Sequence, residues 1–99
     1  MKEKTFKQLQ KEAHQTAKEK GFWDSNRNDG EMIALMHSEL SEALEELRHN
    51  NLSSTGEELA DCIIRIMDFC EGRKINLENI LLKKMKYNKT RPYKHGKKF

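Results

Sequence analysis

Leu59, Cys62, Ile63, Ile66, Met67, Phe69 and Cys70 recur at helical spacing and cover more than half the circumference of one helix. An amphipathic surface helix keeps a narrower stripe, so this segment must be a central helix packed on two sides. Three more segments carry helical periodicity, and no segment reads as a strand. The first runs from about Phe6 to Lys20, with Phe6, Leu9, Ala13 and Ala17 inward. Thr5 and Gln8 have the spacing of a capping box, and Gly21 can supply a left-handed stop. The second starts near Asp29 as cap and reaches about Arg48, with Ile33, Met36, Leu40, Ala43, Leu44 and Leu47 as its apolar stripe. The central helix is expected to start at Ser54 or Thr55, each followed three residues later by Glu, and to stop at Gly72. The fourth opens at Asn76 and runs to about Lys89, with Leu77, Ile80, Leu81 and Met85 inward. The expectation is an all-α fold, a small helical bundle of about four helices in one domain over residues 1–99.

A bundle of this size needs more apolar surface than one chain supplies. Apolar residues make up 35% of the 99 positions and charged residues another 35%. Ordinary domains have roughly 45–50% apolar residues on a count that includes Gly. The thin core favours an oligomer whose interface completes it. No apolar run is long enough to span a membrane, and the charged N-terminus carries no apolar signal segment, so a cytoplasmic protein is expected. Cys62 and Cys70 lie on one helix about 12 Å apart, beyond the roughly 7 Å limit for a disulfide, which fits buried thiols in a reducing compartment.

Charge is divided along the chain. All 16 acidic residues precede Lys83, and with 11 basic residues the first 82 positions carry a net −5. Residues 83–99 carry eight Lys and Arg and no acid, with a basic tail at about 90–99. Within the acidic part, Glu39 and Glu42 on the second helix, and Glu58 and Asp61 on the third, are each spaced i, i+3. That spacing puts both carboxylates of a pair on one helix face, about 5–6 Å apart at Cβ. Two such pairs on adjacent antiparallel helices converge into a four-carboxylate cluster. Its charges repel unless a cation neutralises them, and hard oxygen donors suit Mg²⁺ or Mn²⁺. The ordinary alternative is a solvated helix face with Glu58 capping its own helix. Against that, Glu39 and Glu42 border the apolar stripe, and Glu58 and Asp61 sit on the central helix, where an unpaired carboxylate is costly.

The run HSELSEALEELR (His37–Arg48) followed by EELAD (Glu57–Asp61) resembles the ExxE…ExxD signature of the MazG-like nucleotide pyrophosphohydrolases, in the all-α NTP pyrophosphatase superfamily. KGFWD (Lys20–Asp24) and KMKYNKTRPYKHGKKF (Lys84–Phe99) are similar to the flanks of its small single-domain members. The resemblance covers nearly the whole chain in the right order. It implies Mg²⁺-dependent hydrolysis of a nucleoside triphosphate to the monophosphate and pyrophosphate. It also implies helices shared between subunits of a homodimer or a dimer of dimers. Glu39, Glu42, Glu58 and Asp61 would hold the metal and carry catalysis. Ser38 stands where many members have a further Glu, so the general base stays open.

Trp23, alone of its kind and in a polar loop, is either an edge residue covering the bundle or a platform for stacking a nucleobase. Lys84 and Asn88 share one helix face and Arg91 follows. Lys and Arg would hold substrate phosphates, and Asn88 a base edge or sugar hydroxyl. The plainer account is a solvated helix end whose cations favour the helix dipole. Two other readings compete with the enzyme: a nucleic-acid-binding helical dimer using the basic tail, and a catalytically silent adaptor. The acidic body and the lack of aromatics interleaved through a recognition helix disfavour nucleic acid.

Overall fold

The computed structural model describes residues 3–99. The chain is an all-α bundle, and no strand occurs among the described residues. Its helices are α1 (Phe6–Glu19), α2 (Asp29–Arg48), α3 (Leu52–Gly72) and α4 (Leu77–Lys89), followed by one tight turn, Tyr93–Gly96. No described helix is long and apolar enough to cross a membrane.

Side chains fix most of the helix ends. Thr5 and Gln8 form the full capping box at the start of α1, and Gly21 ends it at φ +86°. Asn28, one residue before the expected Asp29, caps α2 by accepting from the Glu31 N–H at 2.8 Å. Asn76 caps α4 as expected. The start of α3 differs from expectation. Asn51 accepts from the Ser54 N–H at 3.2 Å, so the helix begins at Leu52, ahead of Ser54 and Thr55. An Asn side chain caps as well as Ser or Thr, and Thr55 is left to donate back to the Asn51 carbonyl at 2.8 Å.

α3 ends at Gly72, as expected, but Gly72 is not its left-handed residue. The left-handed turn falls at Lys74, φ +58°. Gly72 is there because Trp23 lies against it: an added Cβ would sit 2.4 Å from Trp23 Cη2.

The hairpin α2–α3 is antiparallel, as three cross-links show. Asp29 pairs with Arg73, Met36 O with Cys62 Sγ, and Glu39 with Arg65. α1 runs antiparallel along the other side of α3, with Gln10 bonded to Glu71 and Ile75 and His14 to Asp68. α3 is thus central, packed on two sides. α4 meets the rest of the chain chiefly at α1, where Glu78 accepts from the Lys7 N–H.

The core is as thin as the composition implies. Met32, Ala43, Cys62, Met67 and Cys70 are its buried hydrophobic members. Leu40, Leu44 and Leu47 of α2, expected inward, are about half exposed, as are Leu59 and Ile63 of α3 and Ile80 and Met85 of α4. The reason is geometric: α3 covers only one side of α2, and α4 stands clear of the hairpin. The surface is 8136 Å², against about 5,900 Å² for a compact chain of this mass. The radius of gyration is 15.9 Å, where a compact domain of this length has about 13 Å.

Candidate metal centre

The antiparallel pairing of α2 with α3 sets Glu39 and Glu42 opposite Asp61 and Glu58. Glu39, Glu58 and Asp61 each place one carboxylate oxygen within 4.8 Å of the other two. Glu42 stands beside this group. Hydrogen bonding to Glu42 and then to Glu39, reinforced by desolvation and by their charges, pushes the Glu58 carboxyl up to about 7. Like charges this close disfavour one another's ionised form unless a cation neutralises them.

Glu39 is the most informative member. It is 8% exposed. Its Oε1 accepts from Arg65 Nε at 3.0 Å, while its Oε2 is buried and has no partner among the described residues. An orphaned carboxylate oxygen in the interior is costly. A divalent cation held by Glu39, Glu58 and Asp61 would offset that cost, and all-oxygen donors suit a hard ion.

The cluster borders a cleft of about 520 Å³ between α1 and α3. Glu39, Asp61 and Arg65 stand on its wall, with an apolar lining from Leu9, Ala13, Ala17, Phe22, Ile64 and Met67. Its size and mostly apolar character suit a small organic ligand. Lys20 and Arg27 also line it, the latter with its guanidinium 5.6 Å from the Phe22 ring.

The residues expected on the substrate side fall elsewhere. Trp23 does not line this cleft. Its Nε1 donates to Asp68 Oδ1 at 2.9 Å, its ring meets His14 edge-on at 5.0 Å, and Arg73 lies 5.5 Å from its centroid. The arrangement matches the edge-residue alternative, and Phe22 is the aromatic side chain on the cleft. Lys84, Asn88 and Arg91 sit on and just after α4. Arg91 Nη1 donates to Asn88 Oδ1 at 3.5 Å, and Lys84 and Arg91 both lie near the Tyr87 ring. None of the three lines the cleft of its own chain.

Sequence reasoning missed Arg65, Phe22 and Arg27. The signal for Arg65 was present: it follows Asp61 by four and Glu58 by seven, on the face that carries both carboxylates. Away from the cluster, the Arg73 guanidinium hydrogen-bonded to Asp29 holds that carboxyl below its usual range, and burial pushes the Cys70 thiol up. Set against family models, curated proteins and solved structures, the chain finds no match, so its likeness to the MazG-like enzymes stands on its motif residues.

Proposed function

We propose that the protein is a Mg²⁺-dependent nucleoside triphosphate pyrophosphohydrolase, with Mn²⁺ as an alternative ion, that releases pyrophosphate and a nucleoside monophosphate. The observation that supports this best is the buried, unpartnered Oε2 of Glu39 beside Glu58 and Asp61, next to an apolar cleft. Glu39, Glu58 and Asp61 would hold the ion, with Glu42 beside them. When bound, the ion polarises phosphoryl oxygens and acidifies water. The cleft takes the apolar faces of a nucleobase, with Phe22 at its wall. One of the glutamates doubles as the base that accepts the proton of the attacking water.

The half-exposed apolar faces of α2, α3 and α4 support a second copy of the chain as partner, in a homodimer or a dimer of dimers. The excess surface over a compact chain is of the size that a stable interface buries. In such an assembly Lys84, Asn88 and Arg91 would serve the phosphates of a neighbouring copy, since they do not line the cleft of their own.

The test is a panel of the eight common NTPs and dNTPs with Mg²⁺, with pyrophosphate and orthophosphate measured separately. Metal-dependent pyrophosphate release from one or more is the expected result, and its absence across the panel rejects the reading. Sedimentation of a folded monomer at micromolar concentration would reject the oligomer.

A further inference from the structure

Two carboxylates, Glu39 and Asp61, are common to the acidic cluster and the cleft, and of these Glu39 is the buried one. Glu39 presents one oxygen to Arg65 and the other to no described residue. A guanidinium offers five N–H donors in a rigid planar fork. Arg65 spends one of them: Nε donates to Glu39 Oε1, while Nη1 and Nη2 make no hydrogen bond to any described residue. Arg73 differs, because its Nε and Nη2 both go to Asp29. Arg27 differs too, with Nη2 on the Phe22 carbonyl. Arg65 is therefore held at its root with its tips free. Its side chain is one-third exposed, and it lines the cleft.

The neighbouring acids on α3 are otherwise engaged. Asp68, three residues on, already accepts from Trp23 and His14. Asp61, four residues back, points an oxygen into the cluster with Glu39 and Glu58.

We propose that Arg65 is the residue that grips the phosphate end of the ligand, positioned for it by Glu39. The inference rests on the reading of Glu39, Glu58 and Asp61 as a cation site. On that reading Glu39 links two recognitions: Oε2 goes to the cation, and Oε1 steers the guanidinium beside it. The ligand class that satisfies both is a polyphosphate, whose oxygens bind a divalent ion and a planar fork at once. A lysine at position 65 would supply the charge without the two parallel hydrogen bonds. The surrounding carboxylates make the local field negative, so phosphate binding here should require the metal.

The probes are Mn²⁺ and inorganic pyrophosphate, titrated into the full chain. Mn²⁺ alone reads the cation site. Pyrophosphate, with and without saturating Mn²⁺, reads Arg65. Arg65→Lys is expected to keep Mn²⁺ affinity and the melting temperature close to those of the unaltered protein. Its pyrophosphate affinity in Mn²⁺ should fall by on the order of tenfold to a hundredfold, the loss of a charged hydrogen-bond pair. Arg65→Gln should fall at least as far, and it serves as the reporter if the lysine variant is poorly folded. A structural role alone would lower the melting temperature and leave pyrophosphate affinity unchanged, and that result overturns the assignment. So does a failure of the unaltered protein to bind pyrophosphate in either condition. If Mn²⁺ binds and pyrophosphate does not, the assignment of Arg65 falls and the cation site stands; if Mn²⁺ does not bind, both fall.

Discussion

The acidic centre of α2–α3 and the basic end of α4 are both dense in charge, yet they hold that charge in different ways. At the centre, packing of two helices forces carboxylates together, buries Glu39 and leaves one of its oxygens unpartnered. At the basic end, nothing is forced. Lys84 and Arg91 rest near the Tyr87 ring, and the aliphatic residues of α4 around them stand in solvent. Charge held against desolvation stores free energy that a ligand can release, whereas solvated charge gains little from a partner. The two regions should therefore respond to mutation on different scales.

The largest effect is expected at the centre. Asp61→Asn and Glu42→Gln keep the shape of the side chain and remove its charge. Each should lower Mg²⁺-dependent turnover by about two orders of magnitude or more, with helix content by circular dichroism unchanged. Near-normal rates in both variants would remove the distinction between the two regions and with it the metal centre.

Arg91→Ala comes next. Arg91 stands outside the cleft of its own chain, so on the proposed reading any contribution from it would come through a neighbouring copy. If it reaches phosphate there, one lost charged hydrogen bond of about 1.5–3 kcal/mol lowers kcat/KM by roughly one to two orders of magnitude. The loss should appear only at concentrations where the chain is oligomeric. Full activity in this variant, with tail-dependent DNA binding at physiological salt, would instead give the basic end to nucleic acid.

The contrast between the regions also explains how much could be read beforehand. The four helices were legible because apolar periodicity and caps such as Thr5–Gln8 and Asn76 are local features. The convergence of Glu39, Glu58 and Asp61 was legible because i, i+3 spacing on two antiparallel helices leaves few alternatives. Contacts between distant segments were not. Arg65 looks like an ordinary helix partner of Asp61 until α2 brings Glu39 across to it. Trp23 and Phe22 are adjacent in one loop, and only the turn at Gly21 decides which faces the cleft. Gly72 resembles a helix stop in sequence, although Trp23 is what requires it.

Gly72→Ala isolates that last point with a smaller effect. Alanine gains about 1 kcal/mol in helix propensity, but its Cβ would lie 2.4 Å from the Trp23 ring. The indole must move off Asp68 and His14, and overpacking of this kind typically costs about 1–3 kcal/mol. Net destabilisation with a red-shifted tryptophan emission is expected, with the Mg²⁺ response of the centre retained. A stabilised variant with unchanged emission would show that Trp23 is not fixed against α3.

The smallest effect is a pH dependence peculiar to the centre. Glu42 and Glu39 raise the Glu58 carboxyl from 4.5 to about 7 in the folded chain. Between those values the folded state holds a proton that the unfolded state has released, so folding takes up a proton. That contribution to stability is complete below the unfolded value and is lost as pH rises through about 7. Without metal, the melting temperature should therefore decline from about pH 5 to about pH 8, and Glu58→Gln should flatten the decline. If the cluster binds a cation, that cation competes with the proton, and the Mg²⁺-induced rise in melting temperature should be larger at about pH 8 than at about pH 5.5. An equal slope in Glu58→Gln, or a Mg²⁺ effect independent of pH, would mean that the carboxylates do not crowd one another in solution, and the centre would then hold its charge no differently from the end of α4.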